Sequence, residues 1–200
     1  MGKVLHGFDV ASYQLSLIGK NNNWISTYPD FVICKATEGT NYKFLQAETI
    51  LNTAKKNGKQ IGVYHYCRAD KGNSPILEAK FFIENVMKYG DAIYALDVED
   101  KSLLVPDIDN WARMWCDAVY SVTKRRPLLY VSQSACKKFP NTCAGNYGLW
   151  VAHYDVAKVG DIAPWKFWAL WQYHVNKGQN IDENFFNGTE EQFKAYAKKV

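Results

Sequence analysis

No apolar run in this sequence approaches the ~18 residues of a membrane-spanning helix, so helical membrane insertion is not expected. The opening Met1-Gly2-Lys3-Val4-Leu5-His6-Gly7-Phe8-Asp9 lacks the apolar core of a secretory signal, which reads as synthesis in the cytoplasm without a leader. There is no Cys-x-x-Cys pair among the five cysteines, and zinc-ribbon spacing is missing. Cys34 and Cys67 lie in apolar runs and read as buried thiols. Cys136 and Cys143, seven apart, leave a pairing around a loop open, although cysteine usage as a whole fits a reducing compartment. Neither a Gly-x-Gly-x-x-Gly turn nor a phosphate-binding loop follows the first apolar run, which removes the usual nucleotide signatures. Neither sign of charge dominates. Lys and Arg number 24 against 20 Asp and Glu, a net +4. The basic residues do not cluster, so no nucleic-acid partner is implied. The densest group, Lys124-Arg125-Arg126, falls at a predicted helix end, where cations suit the dipole.

What the sequence does have is aromatic residues. Ten Phe, seven Trp and thirteen Tyr make 15% of 200 residues, enough to exclude bulk disorder. No repeat, low-complexity tract or linker appears, and residues 1–200 read as one domain. Short β-rich runs alternate with helical stretches. Strands are expected at Val4–Asp9, Phe31–Thr37, Ile61–Tyr66, Ala92–Glu99 and Leu128–Val131. Helices are expected over Phe44–Lys56, from Pro75 through Val86, and over Asp107–Thr123, with a short one at Ser132–Phe139. Beyond them, Leu149–Tyr154 and Trp168–His174 look like strands with no long helix between. A very short strand at Ile181-Asp182 precedes a closing helix, Gly188–Lys199. This order predicts an α/β fold with a parallel sheet, closed as an irregular TIM-like (β/α) barrel with eight strands and fewer helices; an open doubly wound sheet is the alternative.

In parallel α/β folds, function sits at the C-terminal ends of strands. Those ends here carry Asp9, Glu38, the Asp97-Val98-Glu99 run and Asp182, with Tyr64 close by. Asp97 and Glu99 are two apart, so a strand points both to one face. Two adjacent carboxylates repel, and one of them then holds its proton to higher pH, as a general acid must. A solvated loop, a helix N-cap or an all-oxygen divalent-cation site would use the same residues. No helper His lies nearby for a catalytic zinc, and no metal or cofactor is expected. Trp150, Tyr154, Trp171 and Tyr173 fall on late strands, where aromatic faces can stack on sugar rings. A sugar-binding module would share these aromatics without needing Asp97 and Glu99 together.

The motifs resemble a known family. Gly7-Phe8-Asp9-Val10-Ala11-Ser12-Tyr13-Gln14 is similar to its opening signature. Ile33 to Tyr42, Gly62 to Arg68, Leu96-Asp97-Val98-Glu99, Leu149 to Tyr154, Leu170 to Tyr173 and Ile181 to Asn184 follow in family order. The family is the Chalaropsis-type lysozymes, the family 25 glycoside hydrolases. Departures are mild: Ala11 stands where Ser is common, and Cys34 and Cys67 replace apolar or small residues.

The resemblance implies an N-acetylmuramidase that cuts the β-1,4 bond between N-acetylmuramic acid and N-acetylglucosamine in bacterial peptidoglycan glycan strands. It implies Glu99, Asp97, Asp9 and Asp182 as the active carboxylates and Tyr64 at the reacting centre. Glu99 is expected as general acid and base of a retaining reaction. Asp97 either attacks the sugar directly or holds the N–H of the substrate's own acetamide, the second being favoured. Tyr154, Trp171, Tyr173 and Glu38 are expected around the substrate, Glu38 through an ion pair. A monomer acting on the cell wall is expected, as a phage or prophage endolysin released through a holin pore, a bacterial autolysin, or a secreted enzyme whose leader was trimmed. The net +4 suits approach to an anionic wall.

Overall fold

A computed structural model describes residues 4–14, 25, 29–176 and 180–198. Its strands are β1 (Leu5–Val10), β2 (Phe31–Glu38), β3 (Tyr42–Lys43), β4 (Gln60–Tyr66), β5 (Ile93–Asp97), β6 (Leu128–Ser132), β7 (Gly148–Ala152), β8 (Leu170–Asn176) and β9 (Ile181–Phe186). The α-helices are α1 (Ala47–Lys56), α2 (Pro75–Val86), α3 (Ile108–Thr123), α4 (Pro140–Ala144) and α5 (Glu190–Ala197). Lys199, placed in the last helix by its sequence pattern, lies outside the described residues.

Eight strands close into a barrel in the order β1-β2-β4-β5-β6-β7-β8-β9, with β9 returning to β1; β3 is a short hairpin on β2. The expected parallel sheet needs one correction. β9 runs antiparallel to both β1 and β8, so the barrel is mixed. The reason is the short β8–β9 connection, which is too short for a parallel crossover. Asp182 therefore sits at the start of β9, and antiparallel pairing carries that start to the same mouth as Asp9, its register partner. The strand is also longer than Ile181-Asp182. In the opposite sense, β5 ends at Asp97, and Glu99 follows in the next turn. The short helix expected at Ser132–Phe139 is a 3-10 turn over Gln133–Lys138, followed by α4.

Side-chain alternation divides the core in two. Outward residues such as Val32, Val63, Leu96 and Val131 pack under Ile50 and Leu51 of α1, Phe82 of α2 and Trp115 of α3. Inward residues Leu5, Phe31, Ile33, Ile93, Leu128, Leu170 and Phe186 fill the barrel together with Phe193 of α5. That closing helix starts with a reciprocal cap: Gln192 Oε1 accepts from the Thr189 N–H at 2.8 Å, and the Thr189 hydroxyl accepts from the Gln192 N–H at 3.4 Å. The Phe193 ring sits 5.1 Å from that of Phe31 and 5.0 Å from that of Phe186, plugging the N-terminal end. Gly7 permits this packing, since a Cβ there would lie 2.3 Å from the Phe31 ring. All five cysteines are free thiols, so the open question of a Cys136–Cys143 pair is answered in favour of no bond.

Candidate active site

With one end plugged, the barrel opens at the C-terminal mouth. A cavity of about 160 Å³ lies there, lined by Asp9, Lys35, Tyr64, Tyr66, Asp97, Glu99, Tyr130, Trp150, Tyr154, Gln172 and Asp182. Four carboxylates from three strands and one turn thus converge. Asp9 Oδ2 accepts from Gln172 Nε2 at 2.7 Å and from Asn184 Nδ2 at 2.6 Å. Gln172 Oε1 in turn accepts from the Tyr130 hydroxyl at 2.7 Å and from the Tyr154 hydroxyl. Asn184 Oδ1 accepts from Trp150 Nε1 at 2.8 Å. One connected network from β6, β7, β8 and β9 fixes the Asp9 carboxylate. The Tyr64 ring meets Trp150 edge to face, 6.1 Å between centroids.

Asp97 differs from Asp9. Its Oδ1 is buried and has no hydrogen-bond partner among the described residues. An unmatched buried acceptor is costly unless a ligand supplies the donor. Burial raises all four acids, and like charges add to it for three of them. Burial and then Asp100 push Glu99 up to about 7. Burial pushes Asp182 up to about 6. Burial, then Glu99, raises Asp97, and burial, then Asp182, raises Asp9. Lys35 opposes this for both Asp97 and Glu99. A carboxyl such as Glu99, pushed up to about 7, can deliver a proton and take one back near neutral pH.

A second, shallower cavity of about 440 Å³ adjoins the first, lined among others by Arg68, Lys71, Lys101, Ser102 and Leu104. Glu99 and Tyr66 line both cavities. The Tyr66 hydroxyl donates to Asp100 Oδ2 at 2.8 Å, and Asp100 holds a left-handed φ of 51° on the ridge between them. A larger groove between α2 and α3, about 700 Å³ with Ile76, Ile83, Met114 and Val122 in its walls, lies on the outer helices and holds none of the four acids.

Of the residues singled out in the sequence, Asp9, Asp97, Glu99, Asp182, Tyr64, Trp150 and Tyr154 meet in the deep cavity. Glu38 does not line it. It bonds Lys35 Nζ at 2.7 Å and Arg68 Nη1 at 2.7 Å, just outside. Trp171 and Tyr173 are a correction. On β8 Leu170 and Gln172 point inward, so Trp171 and Tyr173 face out. Trp171 packs with the outer core and donates from Nε1 to the His153 carbonyl at 2.8 Å. Tyr173 stacks on Phe185 at 4.2 Å and donates to Glu183 Oε2 at 2.7 Å. Sequence reasoning missed Lys35, Tyr66, Tyr130 and Gln172 as lining residues. The signal was present for Gln172: one polar residue between two aromatics on a strand marks the polar face.

A closed (β/α) barrel that gathers several carboxylates at its mouth is an arrangement that suits a glycoside hydrolase. Comparison with known proteins agrees. The sequence profile of glycosyl hydrolases family 25 matches residues 8–180. The chain is 28% identical over 214 residues to the N,O-diacetylmuramidase of Chalaropsis sp, covering 96% of this chain and 99% of that protein. It is 29% identical to protein YegX of Escherichia coli O157:H7, covering 98% and 74% of the two chains. The bacterial lysozyme of Streptomyces coelicolor superposes with a TM-score of 0.80 at 25% identity, covering 98% of this chain and 97% of that one. The chain belongs to glycosyl hydrolases family 25 and is a glycoside hydrolase.

Proposed function

We propose that this protein is an N-acetylmuramidase, a lysozyme that hydrolyses the β-1,4 bond between N-acetylmuramic acid and N-acetylglucosamine in bacterial peptidoglycan. The carrying observation is the unmatched, buried Oδ1 of Asp97 in the cavity that also holds Glu99. Names of relatives point the same way: N,O-diacetylmuramidase in Chalaropsis and Lysozyme M1 in Streptomyces globisporus, the latter 26% identical over 222 residues.

In this reading the muramic sugar occupies the deep cavity and the leaving sugar the adjoining one. Glu99, on the wall shared by both, reaches the oxygen between them. Its carboxyl, held protonated by burial, gives that oxygen a proton as the C1–O bond breaks. The carbonyl oxygen of the substrate's 2-acetamido group attacks C1 from the other face and forms a cyclic intermediate. Asp97 accepts a hydrogen bond from the acetamide N–H and stabilises the positive charge that develops on the ring. A water then attacks C1 as the bond from C1 to the acetamide oxygen breaks and restores the 2-acetamido group; the Glu99 carboxylate takes the water's proton, and the sugar leaves with retained configuration. Asp9 and Asp182 set the field around the ring, Asp9 fixed by Gln172 and Asn184.

Glu99→Gln should lower the rate of wall clearing by about 10²–10⁴-fold, with an unchanged far-UV spectrum. An active, folded Glu99→Gln protein rules the assignment out. A thiazoline analogue of the sugar should inhibit competitively. A sugar ester trapped on Asp97 and seen by mass spectrometry would replace the acetamide route with direct attack.

A further inference from the structure

The segment Ile33 to Tyr42 sends Glu38 outside the deep cavity and Lys35 into it. Lys35 is only 8% exposed and, among the described residues, is the sole Lys or Arg lining that cavity. A buried ammonium needs partners. Lys35 has Glu38 Oε2 at 2.7 Å, the Tyr66 ring at 4.4 Å and the Tyr42 ring at 5.5 Å. Those partners are themselves held. Arg68 Nη1 donates to Glu38 Oε1 at 2.7 Å, and Arg68 Nε and Nη2 donate to Asp70 at 2.9 and 3.1 Å. An alternating chain, Asp70–Arg68–Glu38–Lys35, therefore ends inside the acid mouth.

Backbone geometry accounts for the reach. Residues three apart on a regular strand point to opposite faces. β2 shifts register between Lys35 and Thr37, turning Thr37 outward to a 2.8 Å bond with His65 Nδ1 and bringing Glu38 to the side of Lys35.

We propose that Lys35 is a positioning residue for the Asp97–Glu99 pair, the cation that the cavity sets against its own acids. Its charge favours Asp97 as the anion that accepts the substrate N–H, and its anchored chain keeps the ammonium from swinging out to solvent. The titratable and charged groups that share its cavity or bond to it are Asp9 from β1, Glu38 from β2, Tyr42 from β3, Tyr64 and Tyr66 from β4, Asp97 from β5, Glu99 in the following turn, Tyr130 from β6, Tyr154 after β7 and Asp182 from β9, with Arg68 bonded to Glu38 beyond. Five of them are carboxyl groups, so removing the cation leaves them uncompensated. Burial raises Asp97 and Glu99, and Lys35 draws both down. The inference rests on the muramidase reading.

The test is the pH profile of kcat/KM on purified cell walls. Lys35→Met keeps length and removes charge. Both limbs of its profile should move up by about one pH unit or more, with activity lost most on the acid side and partly regained toward alkaline pH. Lys35→Arg should restore the original position. A purely structural role lowers activity at every pH without moving either limb. A Lys35→Met profile at the wild-type position overturns the proposal. Should Lys35→Met fail to fold, Lys35→Gln decides: an upward move of both limbs supports the proposal and an unmoved profile overturns it. Wild-type protein that clears walls at no pH overturns the muramidase reading instead, so the two failures are distinct.

Discussion

The two ends of the barrel are built from the same strands and behave oppositely. Along β1 the inward positions run Leu5, Gly7, Asp9, and along β5 they run Ile93, Ala95, Asp97. Each strand passes from a large apolar side chain, through a small one, to an acid. At the N-terminal end, Phe31, Leu128, Phe186 and Phe193 meet in a dry cluster. At the other end Asp9, Asp97, Glu99 and Asp182 share one cavity with Lys35. The first end lowers the free energy of folding through apolar burial. The second raises it by holding like charges in a low-dielectric mouth. The plug supports the mouth: strain among the acids is tolerated because the other end is packed with large apolar side chains.

Breaking the packed end should have the largest effect on stability. Phe193 is fully buried, and Phe193→Ala should cost about 3–5 kcal/mol, read as a lower denaturant midpoint at unchanged slope. Below its unfolding temperature the variant should keep kcat within twofold of wild type, because Phe193 touches none of the acids. A large loss of kcat in still-folded protein would mean that the two ends are mechanically coupled.

Relieving the other end should stabilise. Glu99 lies at about 7 against its ordinary 4.5, and Asp182 at about 6 against 3.8, both raised chiefly by burial. A carboxyl raised in the folded state supports folding fully below its unfolded value. That support is lost as pH climbs through the folded value, here between about 4 and 7. Glu99→Gln should therefore be more stable than wild type at pH 8 by roughly 1–2 kcal/mol after solvent screening, with the gain gone by about pH 4. Thermal melts of both proteins across that range measure it. Carboxylates held low, such as Glu38 and Asp70, respond in the opposite sense but cancel in the difference. A pH-independent difference would remove Glu99 from the raised set.

The contrast between the ends was partly legible in the sequence. Asp9, Asp97, Glu99 and Asp182 stood out because acids at the ends of apolar runs break a strong local pattern. The eight strands and the thinning of helices after β6 were legible for the same reason. Lys35 was hidden because it stands in an apolar run whose register shift, a tertiary feature, decides which way it points. Tyr66, Tyr130 and Trp150 were ambiguous because an aromatic suits either face of a strand. The antiparallel return of β9 left little trace either, since a short connection between two strands marks a hairpin only once both strands are known.

Trp171 and Tyr173 flank Gln172 yet face away from the barrel interior and from both of its ends. Tyr173→Phe removes a hydroxyl that donates to Glu183 Oε2 at 2.7 Å and lies 2.9 Å from His6 Nε2. The ring stays stacked on Phe185. Glu183 keeps Asn176 Nδ2 at 3.3 Å, so the loss should be about 0.5–1.5 kcal/mol. KM for glycan strands should remain within twofold of wild type, measured as reducing ends released from solubilised peptidoglycan. A several-fold rise in KM at unchanged stability would return Tyr173 to the sugar cleft and mean that the outer face of β8 also meets substrate.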